Sequence, residues 1–127
     1  MKNKGILLDS DIIIWFLRGK TDIVTKINNL IIKNNLYVSP ISIAEIYAGA
    51  RPKEEKFINA FFSLIETISI DSSTGKLAGS YLNKYSKSHN IEIADSFIAA
   101  TALNYSLKLW TLNKKHYPMI KQNEFYK

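Results

Sequence analysis

Apolar residues along this chain fall into two rhythms, short continuous runs and stripes spaced three or four apart. Ile6–Leu8 is a three-residue apolar run that predicts a strand. Ser10 to Arg18 predicts a helix, with Gly19 placed to end it. Ile23, Val24, Ile27, Leu30 and Ile31 recur at helical spacing, and Leu36–Val38 reads as a second strand. Ile43 to Ala50 predicts a short helix. Pro52 suits the opening of another, with Phe57, Ile58, Phe61, Phe62 and Ile65 on one face. Thr67–Ile70 reads as a third strand. Two further stripes follow, Leu77, Ala78, Tyr81, Leu82 and Tyr85, then Ala94, Phe97, Ile98 and Ala102. Leu107–Trp110 predicts a fourth strand and Phe125–Tyr126 a candidate fifth. Strands alternating with helices imply a parallel sheet covered on both faces. In such folds ligands bind beyond the C-terminal ends of the strands.

The chain has 127 residues, 46% of them hydrophobic, which suits one domain over residues 1–127 with one full core. Repeats, low-complexity segments and linkers are absent from the sequence. There is no cysteine and there are two histidines, so thiolate chemistry and His-rich metal sites drop out and a cytoplasmic protein is expected. The apolar run Ile6–Leu8 is cut by Asp9 and Asp11, too short for a signal peptide, and no segment approaches a membrane span. A net charge of +6 favours polyanions such as nucleic acid, although solvated lysines on helix faces account for it equally well.

Three acids follow from this layout. Asp9 directly succeeds the first strand; read alone it is a helix N-cap. Glu45 follows the second strand, and Ser42-x-x-Glu45 also reads as a capping box. Asp95 stands in the first turn of its helix, where an acid complements the dipole, yet shares a face with Ala99 and Ala102 and should be partly buried. Thr111 and Asn113 follow the fourth strand to the same edge. Each acid has a local explanation, but all three map to one edge of one sheet. Clustered carboxylates raise one another's pKa unless a cation compensates. An all-oxygen cluster suits Mg²⁺ or Mn²⁺, which polarise phosphoryl oxygens and generate hydroxide near neutral pH.

Four segments carry a resemblance. Leu7-Leu8-Asp9-Ser10-Asp11-Ile12-Ile13, Ser42-Ile43-Ala44-Glu45-Ile46-Tyr47-Ala48-Gly49-Ala50-Arg51, Ala94-Asp95-Ser96-Phe97-Ile98-Ala99-Ala100-Thr101-Ala102 and Thr111-Leu112-Asn113-Lys114-Lys115-His116-Tyr117 resemble, in order and spacing, the motifs of the PIN-domain family, most of all its VapC toxin branch. The resemblance implies a three-layer α/β/α sandwich with a central, mainly parallel sheet of four or five strands. It implies a Mg²⁺- or Mn²⁺-dependent endoribonuclease with one or two ions, an RNA substrate, a cognate VapB-like antitoxin as inhibitor, and a homodimer. Asp9, Glu45 and Asp95 match the family's acidic triad and are the expected metal ligands. Asp11 matches a position near the metal, and Thr111 a polar position lining the site. Asn113 stands where many PIN nucleases carry Asp, which bears on how tightly a second ion is held.

Arg18, Arg51, Lys53, Lys114, Lys115 and His116 lie near these motifs and are candidates for phosphate contacts, against ordinary solvated charge. Trp15, Tyr47, Tyr81 and Tyr85 offer faces for bases, although helical spacing favours packing. Two other readings compete. Asp9-x-Asp11 after a strand also fits a haloacid-dehalogenase-like phosphatase with Asp9 as nucleophile, which leaves Glu45 without a role. A non-catalytic RNA-binding domain of PIN fold predicts missing acids, whereas all three are present.

Overall fold

Strand β1 (Ile6–Leu8) lies at the centre of the computed structural model, which describes residues 5–127; the first four residues of the expected 1–127 domain lie outside the described part. Beside β1 run β2 (Leu36–Val38) and β4 (Lys108–Trp110), and β3 (Glu66–Thr67) lies outside β2, giving the order β3-β2-β1-β4. Every pairing is parallel, with Leu7 opposite Tyr37 on one side and Leu109 on the other. A short parallel strand buried on both faces needs apolar side chains at every position, and Ile6, Leu7 and Leu8 meet that demand. Side chains alternate along a strand. Ile6 and Leu8 accordingly join one core cluster, with Ile12, Ile27, Val38 and Phe61, while Leu7 joins the other, with Ile98, Ala99, Leu109 and Tyr117. Full burial of Leu7 and Leu8 stabilises the fold by about 1.5–3 kcal/mol each.

Helices α1 (Ser10–Leu17), α2 (Thr21–Ile32), α3 (Pro40–Ala48) and α4 (Glu55–Ser63) supply the first cluster. The second is covered mainly by α6 (Ile93–Asn104), packed along α5 (Ser72–His89). The result is the three-layer α/β/α arrangement implied by the four motifs.

Most expected elements are present, with instructive differences at their ends. Gly19, at φ +81°, ends α1 as expected. Helix α3 begins three residues earlier than Ile43: Ser39 caps it by accepting the Ile41 N–H at 3.1 Å, and Pro40 takes the first helical position, where its missing N–H costs nothing. The Ser42–Glu45 capping box therefore does not form. Ser42 lies inside the helix, buried, and its hydroxyl has no hydrogen-bond partner. Pro52 opens a 3₁₀ turn (Pro52–Glu54) that leads into α4, and Ile65 lies beyond the helix end. Phe57, placed on the core face by periodicity, is exposed and stacks on Phe16 with centroids 6.4 Å apart. Strand β3 is shorter than the expected Thr67–Ile70 and begins one residue earlier. The candidate fifth strand is reduced to one parallel bridge, Leu109 to Phe125, so the sheet has four strands.

Candidate functional site

Asp9 leaves the end of β1 with its backbone N–H donating to the Trp110 carbonyl of β4 at 3.0 Å. That bond seats it beside Thr111, the residue after β4. The cap expected of Asp9 is present, and its two oxygens take different donors. Oδ1 caps α1 by accepting the Ser10 N–H at 2.8 Å. Oδ2 accepts the Thr111 hydroxyl at 2.8 Å and the Tyr117 hydroxyl at 2.8 Å. Asp9 is 8% exposed, so these donors replace the water it loses on burial.

Asp11 sits one residue into α1. Its Oδ2 accepts the Leu112 N–H at 2.9 Å and lies 3.4 Å from both the Thr111 hydroxyl and Asn113 Nδ2. Its Oδ1 is buried with no hydrogen-bond partner. Burial first, then the Asp9 charge, pushes the Asp11 carboxyl above the ordinary carboxylate range. Asp95 enters from the first turn of α6, partly buried as expected, with Oδ2 accepting the Glu92 N–H at 3.3 Å. Burial also raises its pKa, against the lowering effect of the Glu92 N–H and of His116, whose Nδ1 stands 3.6 Å away.

Tyr117 links these acids, and no role follows for it from the sequence. It is 1% exposed, packs in the second core cluster, and reaches Asp9 Oδ2 and, at 3.5 Å, Asp95 Oδ1. A phenol has one proton to donate, so it serves one carboxylate fully while the other faces its lone pairs. Burial and the surrounding acids push its own pKa far up, which keeps it a protonated donor. The available signal was chemical: a buried Tyr needs a partner for its hydroxyl.

Glu45 is the outlying member. It lies within α3, exposed, where its Oε1 accepts the Ser10 hydroxyl at 2.5 Å. Ser10 thus bridges Glu45 to the Asp9 corner. Among the described residues no three acids or histidines close around a single point. The expected trio of Asp9, Glu45 and Asp95 is gathered at one sheet edge but remains spread, each acid held by its own donors.

The donor set nevertheless fits a hard divalent cation. It consists of carboxylate and hydroxyl oxygens, with one buried carboxylate oxygen unpartnered. Among the described residues the ion pairs within 4 Å are Lys20–Asp22 and His116–Asp95, so no lysine or arginine neutralises Asp9, Asp11 or Glu45. The basic candidates divide. Lys114 and Lys115 share a groove with Thr111 and Asn113. Arg18 lines a different hollow, with Glu45, Glu54 and Ile46. Arg51 leads into the 3₁₀ turn, exposed, and lines neither.

With this geometry in place, the chain can be set beside known proteins. The family model described as PIN domain matches residues 6–119. Ribonuclease VapC10 of Mycobacterium tuberculosis is 34% identical over 121 residues, which covers 92% of this chain and 89% of that protein. Ribonuclease VapC19 of the same organism is 32% identical over 117 residues, covering 89% and 92%. Among solved structures, a toxin–antitoxin complex from Klebsiella pneumoniae superposes with a TM-score of 0.81 at 20% identity over 97% of each chain. FitAcB from Neisseria gonorrhoeae superposes with a TM-score of 0.70 at 26% identity, over 88% of this chain and 90% of that one. A family match over nearly the whole sheet-and-helix framework, with relatives above 30% identity across most of the chain, shows that this protein belongs to the PIN domain family.

Proposed function

We propose that the chain is a Mg²⁺- or Mn²⁺-dependent endoribonuclease, the toxin of a toxin–antitoxin pair, acting in the cytoplasm as a homodimer and held in check by a VapB-like antitoxin. One observation carries the catalytic reading. Asp9, Asp11 and Asp95 are tied together through Thr111 and Tyr117 at the C-terminal edge of the sheet, with no lysine or arginine paired to them among the described residues. The relatives named ribonucleases support the substrate, and the neighbour described as a toxin–antitoxin complex supports the partner. No helix among the described residues is long and apolar enough to cross a membrane.

In this reading Asp9, Glu45 and Asp95 hold the cation. When bound, it supplies Lewis-acid polarisation of the phosphoryl group and a water of lowered pKa. The chain's own groups do the positioning. Thr111 and Tyr117 fix Asp9 Oδ2, the Leu112 N–H fixes Asp11, and Ser10 holds Glu45 toward the same corner. Asn113 stands beside Asp11, and its backbone N–H donates to the Thr111 hydroxyl at 3.0 Å, which orients that hydroxyl toward Asp9. Lys114 and Lys115, just beyond, steady the RNA backbone. The phosphatase alternative leaves Glu45 without a role, whereas the Ser10 hydroxyl ties Glu45 to the Asp9 corner.

The test is cleavage of a single-stranded RNA with Mn²⁺ or Mg²⁺. Loss of several kcal/mol of metal assistance predicts that Asp9→Asn and Asp95→Asn each slow cleavage by more than about 100-fold. Excess chelator should do the same to the wild type. Undiminished cleavage in chelator would overturn the metal mechanism, and a phosphate ester trapped on Asp9 would favour the phosphatase.

A further inference from the structure

Next to the acids lies a groove of about 700 Å³ whose rim carries Lys20 and Lys26 of the α2 segment, Lys114 and Lys115 after β4, and Lys127. Against these five lysines the lining holds a single acid, Asp22, which is paired with Lys20 at 3.8 Å. The groove also includes Trp110 and Tyr126, whose ring centroids stand 4.9 Å apart, and Tyr126 is only half-buried. Its lining also includes Thr111 and Asn113, the residues that bond to Asp9 and Asp11. Lys114 is partly positioned by its ammonium lying 5.2 Å over the Phe125 ring.

We propose that this groove is the track of the RNA strand on one side of the scissile phosphate, with Lys20 and Lys26 as backbone contacts that no motif of the sequence marks. The substrate identity rests on the nuclease reading above; the groove's preference for single-stranded nucleic acid rests on its own lining. A cationic rim with an accessible aromatic face is what an unpaired strand uses, phosphates on the lysines and a base on Tyr126, which packs on the buried Trp110. An acidic peptide would use the lysines but present nothing planar to Tyr126. The layout also separates signs along the strand's path. Lysines hold the flanking phosphates, and Thr111, part of the same lining, bonds directly to Asp9.

The experiment measures binding of a fluorescein-labelled single-stranded oligoribonucleotide in chelator, across a salt series, and cleavage in Mn²⁺. The Lys20→Gln/Lys26→Gln double variant should lose about fivefold in affinity per lysine near 0.1 M salt. Its plot of log affinity against log salt should become shallower by about 0.7 per lysine. In cleavage the loss should appear in KM rather than kcat. The charge-matched Lys56→Gln/Lys76→Gln variant, on exposed positions of α4 and α5 away from this lining, is the control. All four lysines are exposed, so folding is not at stake. If the groove variant behaves like the control, the track is overturned while wild-type cleavage leaves the nuclease reading standing. If the wild type cleaves nothing but the groove variant still flattens the salt dependence, the track stands and the nuclease reading falls. Loss of affinity for an acidic peptide with RNA binding intact would also overturn it.

Discussion

The Tyr117 hydroxyl is the least expected participant in the acidic cluster. It is buried in the core, yet its one proton goes to Asp9 while Asp95 stands 3.5 Å from the same oxygen. A hydrogen bond to a charged acceptor contributes about 1.5–3 kcal/mol, and loss of an outer-shell donor typically weakens a metal site 10–100-fold. Tyr117→Phe keeps the ring and its packing while removing that donor. The variant should remain folded but require roughly tenfold more Mn²⁺ for half-saturation, read by titration of tryptophan fluorescence. An unchanged half-saturation point would show that Thr111 and the Ser10 N–H hold Asp9 adequately by themselves. The capping role of Asp9 was legible from sequence, because Asp directly after a strand and before a helix is a favoured N-cap. Which donors hold its second oxygen was not legible, since Thr111 and Tyr117 lie 102 and 108 positions away.

Elements in this fold are short, and their ends are set by local chemistry that tertiary contacts then override. Ser39 and Pro40 start α3 earlier than hydrophobic periodicity suggests, because an N-cap followed by proline satisfies the first turn at little cost. Strand β3 shrinks to two residues at the sheet edge, and Phe125 contributes one bridge in place of a strand. At the start of β1 the constraint is space. A Cβ on Gly5 would lie 2.5 Å from the Tyr37 ring and 2.7 Å from Leu107 Cδ2. Gly5→Ala must therefore displace the Tyr37 ring on β2, at a cost of about 1–3 kcal/mol typical of overpacking. The expected outcome is a Tm lower by several degrees in calorimetry, with RNA cleavage at low temperature retained because Gly5 lies at the end of β1 away from Asp9. A normal Tm would mean that the Tyr37 ring moves freely.

The whole molecule concentrates charge of opposite signs: a net +6 overall, a lysine-rich groove, and carboxylates that no lysine or arginine pairs with among the described residues. The folded state raises the pKa of Asp11 and Asp95 through burial above all. A carboxyl with a raised folded-state pKa binds protons more tightly than in the unfolded chain. These two groups therefore make stability fall as pH rises from the ordinary carboxylate value toward their folded values, and at neutral pH the cost of keeping them charged where they are buried is fully present. A cation offsets that cost, and protons compete with it. Mn²⁺ at 100 times its Kd should stabilise the protein by about 2.7 kcal/mol at neutral pH, roughly 10 °C in Tm. The gain should shrink steadily as pH falls toward 4. A gain that is absent, or independent of pH, would place cation binding elsewhere than at these acids.

What the sequence determined by itself was the alternation of strands and helices, hence a parallel sheet, and the three acids at one edge of it. Apolar periodicity and the position of a residue after a strand are local properties, readable without coordinates. The four motifs added the family. Tertiary structure decided the rest: that Glu45 reaches the site through Ser10, that Tyr117 joins Asp9 to Asp95, and that Lys20 and Lys26 share a groove with Lys114 and Lys115. These are contacts between segments distant in the chain, created when β2 and β4 pair on either side of β1, the first carrying α3 and Glu45 and the second everything after Trp110 to the Asp9 corner. No local pattern encodes them, because the energy that fixes them comes from closing the whole sheet.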